Sequence, residues 1–217
     1  MAQRVGPTGY VLATDIAPAI LEFARKLAKD AGLTNLETKV MDGENVAVLD
    51  AHFDAVISRV VLIYFPDQQW ALTEMLRVLK PGGKVAAIVY STPDKNKFFS
   101  IPVSIIRNRA QLPPPLPGQP DPFSLGGEGV IEKAFTQVGF RNVQAVRIDS
   151  PLVLSSAAEC VRFEKESFGA LHQMLSSLPD PEKESVWQEI RNELAAFETE
   201  QGFVNPCGMI VAVGTKG

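Results

Sequence analysis

The sequence predicts an α/β fold, a doubly wound parallel sheet, from three observations. Residues 10–90 alternate short apolar runs with amphipathic segments in the order βαββαβ. The apolar runs are rich in β-branched residues and have the length of buried strands. Glycine and proline separate the segments, and 46% of the 217 residues are hydrophobic, which is enough for a substantial core. Right-handed crossovers would then place helices on both faces of the sheet.

Four strands and two helices are expected in this first part. The strands are predicted at residues 10–14, 36–40, 53–58 and 84–90. Pro18 suits the first turn of a helix, and Gly32 ends it. Apolar residues follow Pro18 with helical spacing: Ile20, Ala24, Leu27 and Ala31. Asp67 can cap the second helix, whose inner face is predicted from its spacing to be Leu72, Met75, Leu76 and Leu79. Residues 81–83, Pro-Gly-Gly, predict a tight turn.

The whole chain is expected to form a single domain with three parts. Residues 1–150 form the sheet core, which ends with a helix at 129–139 and a strand at 141–148. Residues 151–206 are a helical insertion, in which a capping box at Ser156 opens one helix and Asp180 opens another. Residues 207–217 contain a closing strand. The proline-dense stretch 112–118 is either a lid over a pocket or a surface connection.

Composition excludes several function classes. The formal net charge of −4 and the pI of about 5.3 argue against a broad nucleic-acid or anionic-membrane surface. No apolar run approaches the ~18 residues of a membrane span, and the first residues lack the apolar core of a signal peptide. Cys160 and Cys207 are expected to be free thiols, so a cytoplasmic location is predicted. The only histidines, His52 and His172, have no metal-ligand spacing, and no metal site is expected.

Two acidic residues follow neighbouring strands. Asp15 ends the first apolar run, and Asp42 follows the second. The carboxyl ends of parallel strands meet at one edge of a sheet, where such acids can accept hydrogen bonds from a ribose and from an adenine amino group. Asp15 alone is equally typical of a helix cap or a turn, and the pair also occurs as two ordinary turn acids. Ser58 and Arg59 follow the third strand, at the side where ligands bind in such folds, before an apolar stretch that suits either a pocket wall or the core.

Several segments together resemble the class I S-adenosylmethionine-dependent methyltransferases, most closely the UbiE-like "methyltransferase type 11" branch. These segments are VLATDIAP, VMDGEN, FDAVISRVVLIYFPD, LRVLKPGGKVAAIVY and VGFRNVQAV. The resemblance covers residues 4 to about 148. It implies a Rossmann-like methyltransferase sheet and S-adenosylmethionine as the cofactor.

The resemblance also implies roles for particular residues. Asp15 matches the acid that holds the cofactor ribose, and Ile16 matches the apolar residue beside the adenine. Asp42 matches the acid near the adenine amino group, with Met41 and Gly43 on either side of it. Ser58 and Arg59 match the positions that line the methionine end of the cofactor. No catalytic residue is implied.

One family motif has no counterpart in this sequence. The resemblance implies a central strand running into a GxGxG loop before residue 1, between the strands at 10–14 and 53–58, and neither the strand nor the loop is present. Leaving about ten backbone groups unpaired at ~1–3 kcal/mol each would exceed the stability of a whole domain. We therefore expect that the flanking strands pair directly, that another chain fills the position, or that the sequence belongs to a longer protein.

The leading hypothesis is methyl transfer from S-adenosylmethionine to a small, apolar acceptor, impaired in this chain by the missing loop. An alternative is a non-catalytic binding or scaffold module that forms a homodimer through the vacated sheet position. An NAD-dependent oxidoreductase ranks last, because it needs the same loop and does not explain LRVLKPGGK.

Overall fold

The computed structural model describes residues 1–113 and 121–217, so most of the proline-dense stretch 112–118 lies outside the described residues. The helices are α1 Ala2–Val5, α2 Pro18–Asp30, α3 Gln68–Val78, α4 Lys97–Arg109, α5 Val130–Gln137, α6 Ala157–Ser167, α7 Gly169–Met174 and α8 Asp180–Leu194. The strands are β1 Val11–Asp15, β2 Leu36–Val40, β3 Phe53–Arg59, β4 Leu79–Tyr90, β5 Arg141–Asp149, β6 Leu152–Leu154, β7 Glu198–Thr199, β8 Gly202–Asn205 and β9 Gly208–Thr215. The predicted α/β class is confirmed.

The main sheet is divided in two. Strands β1 and β2 form a parallel pair, and a separate sheet has the order β3-β4-β9-β5. In that sheet β3 and β4 are parallel, while β9 runs antiparallel to both β4 and β5, as expected for a closing strand. Within the described residues β1 and β3 do not pair with each other. The possibility that the two flanking strands pair directly is therefore wrong.

Helices cover the four-stranded sheet on one face. The face that carries Ser58, Val85, Ala87, Val89, Ile210 and Ala212 is buried. The register places the side chains of Ile57, Val146, Ile148 and Val213 on the opposite face, and all four are exposed. Within the described residues this part of the second face is therefore open to solvent.

Two local predictions differ from the structure for steric reasons. Helix α3 ends at Val78, and Leu79 is already the first residue of β4. The sequence Pro81-Gly82-Gly83 is a bulge within that long strand, where the register shifts between Phe53 and Ala55 of β3. Gly82 has φ 76°, a conformation that glycine adopts without steric cost.

Helix α2 exposes an apolar side that its helical spacing predicts to be buried. Leu21 and Ala28 are buried, whereas Ile20 and Leu27 are exposed. Helix α2 contacts only β1 and β2 closely, so the described chain has nothing to cover its second apolar stripe. This stripe and the open sheet face are both consequences of the divided sheet.

The C-terminal part is more elaborate than the two helices predicted between late strands. It contains α6, α7 and α8 and a small antiparallel sheet of order β6-β8-β7. Ser156 caps α6 by accepting a hydrogen bond from the Glu159 amide at 3.1 Å, but the Glu159 carboxylate pairs with Arg162 instead of completing the capping box. The core runs continuously from β4 through α4 to α6 and α8, so the helical part packs on the sheet core.

Candidate functional site

The two predicted acids lie at the same edge of the β1-β2 sheet. Asp15 is paired in register with Val40, and the Met41 amide donates to the Asp15 carbonyl at 3.0 Å. Asp42 therefore follows β2 immediately beside the end of β1. One carboxylate oxygen of each acid accepts a local amide, from Ala17 at 2.8 Å and from Glu44 at 2.9 Å. These turn bonds fix the direction of both carboxylates at the edge where ligands bind in this class of fold.

The neighbours of the two acids differ in exposure. Ile16 is 71% exposed, an apolar side chain available at the edge of the sheet, while Met41 is buried. Gly43 packs directly against Phe65, since a Cβ atom on Gly43 would lie 2.4 Å from Cζ of that ring. A larger residue at this position would displace the Phe65 ring, which belongs to the segment that follows β3.

The loop after β2 connects the two sheets at their carboxyl edge. The carboxylate of Glu44 accepts the Asp67 amide at 2.5 Å, and its carbonyl accepts the Trp70 indole N–H at 2.7 Å. Asp67 in turn caps α3 by accepting the Trp70 amide at 2.9 Å, which confirms the predicted cap. These contacts hold the Asp42 loop against the start of α3 although β1 and β3 are unpaired.

Arg77 holds the rest of this loop. Its guanidinium donates to the carbonyls of Val46 at 2.7 Å and Val48 at 2.8 Å, and it forms a two-point pair with Glu74. The Val46 amide donates to the same Glu74 carboxylate at 2.9 Å. The Arg77 hydrogen bond lowers the pKa of Glu74, so this carboxylate stays ionised and the pair stays intact. We call the Glu74–Arg77 pair with its backbone partners the loop clasp.

Ser58 and Arg59 end β3 but point to opposite faces of the sheet. Ser58 is buried, and its hydroxyl has no hydrogen-bond partner among the described residues. Arg59 is exposed and shares the open face with Ile88, its register partner on β4. The structure therefore does not bring these two predicted residues together with each other, and only Arg59 faces the open side.

Sequence reasoning missed the supporting residues of the site. Phe65 belongs to the apolar stretch that suits either a pocket wall or the core. Nothing in the sequence predicts its contact with Gly43. Glu74 and Arg77 do carry a signal, because opposite charges three residues apart on a helix predict an ion pair. Their backbone partners 29 and 31 residues away could not be predicted from that spacing.

The residues at this edge fit the adenosine half of S-adenosylmethionine. Two carboxylates with fixed directions suit the ribose hydroxyls and the adenine amino group, and the exposed Ile16 side chain suits an aromatic base. The methionine half requires other groups, and the structure does not bring Ser58 and Arg59 together to supply them. Among the described residues no cluster of three metal-ligating side chains is present. No helix in the described ranges has both the length and the apolarity to cross a membrane.

Comparison with known proteins identifies similar sequences for the first part of the chain. Residues 1–87 match a family model described as a methyltransferase domain. The aklanonic acid methyltransferase DauC of a Streptomyces species is 39% identical over 85 residues, which are 39% of this chain and 39% of that protein. The ubiquinone/menaquinone biosynthesis C-methyltransferase UbiE of Pseudomonas savastanoi is 39% identical over 97 residues, 44% of this chain and 38% of that protein. The chain thus spans about two fifths of the length of these relatives.

Solved structures resemble the whole fold at low sequence identity. The YcgJ protein from Bacillus subtilis has a TM-score of 0.61 at 18% identity, covering 95% of this chain and 82% of that one. Phosphoethanolamine N-methyltransferase 2 of Haemonchus contortus, solved with S-adenosyl-L-methionine, has a TM-score of 0.53 at 16% identity, covering 95% and 43%. The predicted Rossmann-like fold is confirmed, and residues 1–87 are similar to a methyltransferase domain, as the sequence predicts.

Proposed function

We propose that this chain carries the adenosine-binding part of an S-adenosylmethionine-dependent methyltransferase that acts on a small acceptor with an apolar body. The proposal depends mainly on one observation, the adjacency of Asp15 and Asp42 at the end of a parallel strand pair. The match of residues 1–87 to a methyltransferase domain supports it.

The chain's contribution to the reaction is positioning. When bound, the cofactor would supply a methyl group on a sulfonium sulfur, which a nucleophilic acceptor atom would attack in line as the C–S bond breaks and neutral S-adenosylhomocysteine leaves. Asp15 would hold the ribose, and Asp42 would hold the adenine. Met41 and Gly43, on either side of Asp42, would shape the loop that carries it. Placing the reactants and excluding water provide most of the rate enhancement for such a displacement, so no protein nucleophile is required.

Titration with S-adenosylhomocysteine, followed by calorimetry and by amide NMR shifts, tests the assignment. Because residues 1–217 contain no GxGxG sequence, we expect weak binding of this chain, seen only in the NMR shifts. It should be lost in Asp15→Asn and Asp42→Asn. Asp30→Asn, an exposed acid at the end of α2, serves as the matched control and should bind as the parent does.

Two outcomes would contradict the proposal in different ways. Low-micromolar affinity would show that the chain is not impaired by the missing loop. Equal NMR shifts in the parent and in both site variants would show that Asp15 and Asp42 do not bind the adenosine.

The divided sheet favours a second candidate, a non-catalytic module that forms a homodimer through the vacated position. Strands β1 and β3 each leave one edge unpaired within the described residues, and such edges recruit other strands. The exposed apolar stripe of α2, which includes Ile20, Phe23 and Leu27, belongs to the helix that packs on β1 and β2. Both features would be covered by a second copy.

Light scattering after size-exclusion chromatography tests this candidate. A dimer that Phe23→Lys dissociates and Val153→Lys leaves intact would support it, since Val153 is exposed on the distant small sheet. A monomer in the parent protein would rule it out.

A further inference from the structure

Tyr90 places a hydroxyl at the carboxyl end of β4, next to an aromatic wall. Its ring lies 5.8 Å from Phe98, 5.9 Å from Phe99 and 6.5 Å from Phe123, measured between ring centroids. The residue is buried, yet its hydroxyl forms no hydrogen bond with the described residues. A phenol that stands at a ligand-binding edge without a partner is available to a ligand.

The side chains of Arg59 and Tyr90 project from the same face of the sheet. Arg59 is in register with Ile88, and Tyr90 follows Ile88 by two residues, so all three side chains project on one side. Among the described residues no carboxylate lies within 4.0 Å of the Arg59 guanidinium. Arg59 therefore offers an uncompensated positive charge at this edge.

A strained turn after β3 leads into a second tyrosine, Tyr64, in a segment that packs on β4. Val60 has φ 58°, which a β-branched residue rarely adopts, and its amide donates to the Ile88 carbonyl at 2.8 Å. The 3-10 turn Leu62–Tyr64 that follows packs on β4. Such strain persists only where the surrounding structure imposes it, and it is found preferentially at functional sites.

The electrostatics of Tyr90 agree with this geometry. Burial raises the pKa of Tyr90, the nearby groups of Tyr64 and Cys207 raise it further, and the Arg59 guanidinium lowers it. Burial also raises the pKa of Tyr64. Both phenols therefore remain protonated at neutral pH and act as hydrogen-bond donors beside a cation.

We propose that Arg59, Tyr64 and Tyr90 form a subsite that binds an acidic oxygen of the methyl acceptor, a carboxylate or an ionised enol or phenol. One positive charge and two neutral hydroxyl donors suit an anionic oxygen, which accepts hydrogen bonds more strongly than a neutral one. The apolar body of the acceptor would lie toward the aromatic wall. This assignment rests on the proposed function. It adds one acidic oxygen to the apolar acceptor proposed there.

The three tyrosines of the chain allow a direct test without cofactor. Labelling with ¹³Cζ-tyrosine gives one signal each for Tyr10, Tyr64 and Tyr90, which Tyr64→Phe and Tyr90→Phe assign. Tyr10 is the internal control, because it lies before β1 at the opposite edge and donates to Glu37 at 2.7 Å. The probes are benzoate, 4-nitrophenol in its ionised form, and benzamide as the neutral isostere of benzoate.

We expect the two anions to shift the Tyr64 and Tyr90 signals and to leave Tyr10 unchanged, while benzamide shifts none of them. Loss of the charge-assisted contact in Arg59→Gln should weaken binding of the anions about tenfold. Arg59→Lys should restore part of the affinity, and Arg191→Gln, an exposed arginine on α8, is the matched control. Circular dichroism verifies that each variant is folded.

The relative affinity of the two anions separates the possible sources of the oxygen. Tighter binding of benzoate indicates a carboxylate acceptor, and tighter binding of nitrophenolate indicates an enol or phenol. Equal shifts with benzamide, or unchanged affinity in Arg59→Gln, would overturn the proposal. Because no adenosine compound is present, this result is independent of the test of Asp15 and Asp42.

Discussion

Replacement of Arg77 by methionine tests whether the loop clasp holds the site together. The change keeps an unbranched apolar stem but removes two charge-assisted hydrogen bonds, to the carbonyls of Val46 and Val48. It also leaves the Glu74 carboxylate, whose side chain is 11% exposed, without its cation. The fifth contact, to the exposed Asp50, adds nothing measurable.

The expected loss follows from these contacts. A hydrogen bond to a charged group contributes about 1.5–3 kcal/mol, and the partial exposure of the guanidinium places both bonds at the low end. Glu74 keeps its bond to the Val46 amide and can reach water, which limits its penalty. We expect Arg77→Met to lower the free energy of unfolding by about 2–4 kcal/mol, a large part of the ~5–15 kcal/mol typical of a domain.

Urea denaturation with two spectroscopic probes measures this loss, and hydrogen exchange of the amides at residues 42–50 locates it. Lys80→Met is the matched control, because it breaks an exposed pair with Asp54 and should leave the midpoint unchanged. The reasoning is refuted if both variants have the same midpoint, or if exchange at residues 42–50 does not accelerate in Arg77→Met.

Three further predictions concern single residues. Burial raises the pKa of Glu164 to about 9, so the folded chain keeps a proton that the unfolded chain releases near pH 4.3. Stability should be full below that pH and should fall toward pH 9 by up to about 1.4 kcal/mol per unit, a slope that Glu164→Gln removes in urea titrations at several pH values. Gly43→Ala should cost about 1–3 kcal/mol through its clash with Phe65, and calorimetry should show partial recovery in the double variant with Phe65→Leu. Ser58→Ala removes a hydroxyl with no partner and should leave the melting temperature equal or higher; a clear decrease would reveal a missed bond.

Local sequence patterns predicted most of the secondary structure. The strands β1 to β4 and the caps at Asp67 and Ser156 were found because each depends on residues within a few positions of one another. The adjacency of Asp15 and Asp42 was also predictable, since parallel strands joined by one helix usually lie side by side. The short strands β6 and β7 were missed, because two- or three-residue strands carry almost no periodic signal.

Sequence patterns alone predicted the α/β class, the position of the two acids at the tips of neighbouring strands, and the resemblance to a methyltransferase domain. These features depend on periodicity and on the order of residues along the chain. The structure was needed to find that the sheet is divided between β1 and β3, that Arg77 holds the Asp42 loop, and that Arg59 and Tyr90 share one face of the sheet. Such contacts join residues that are distant along the chain. They depend on how side chains pack between helices and strands, and local sequence patterns do not encode that packing.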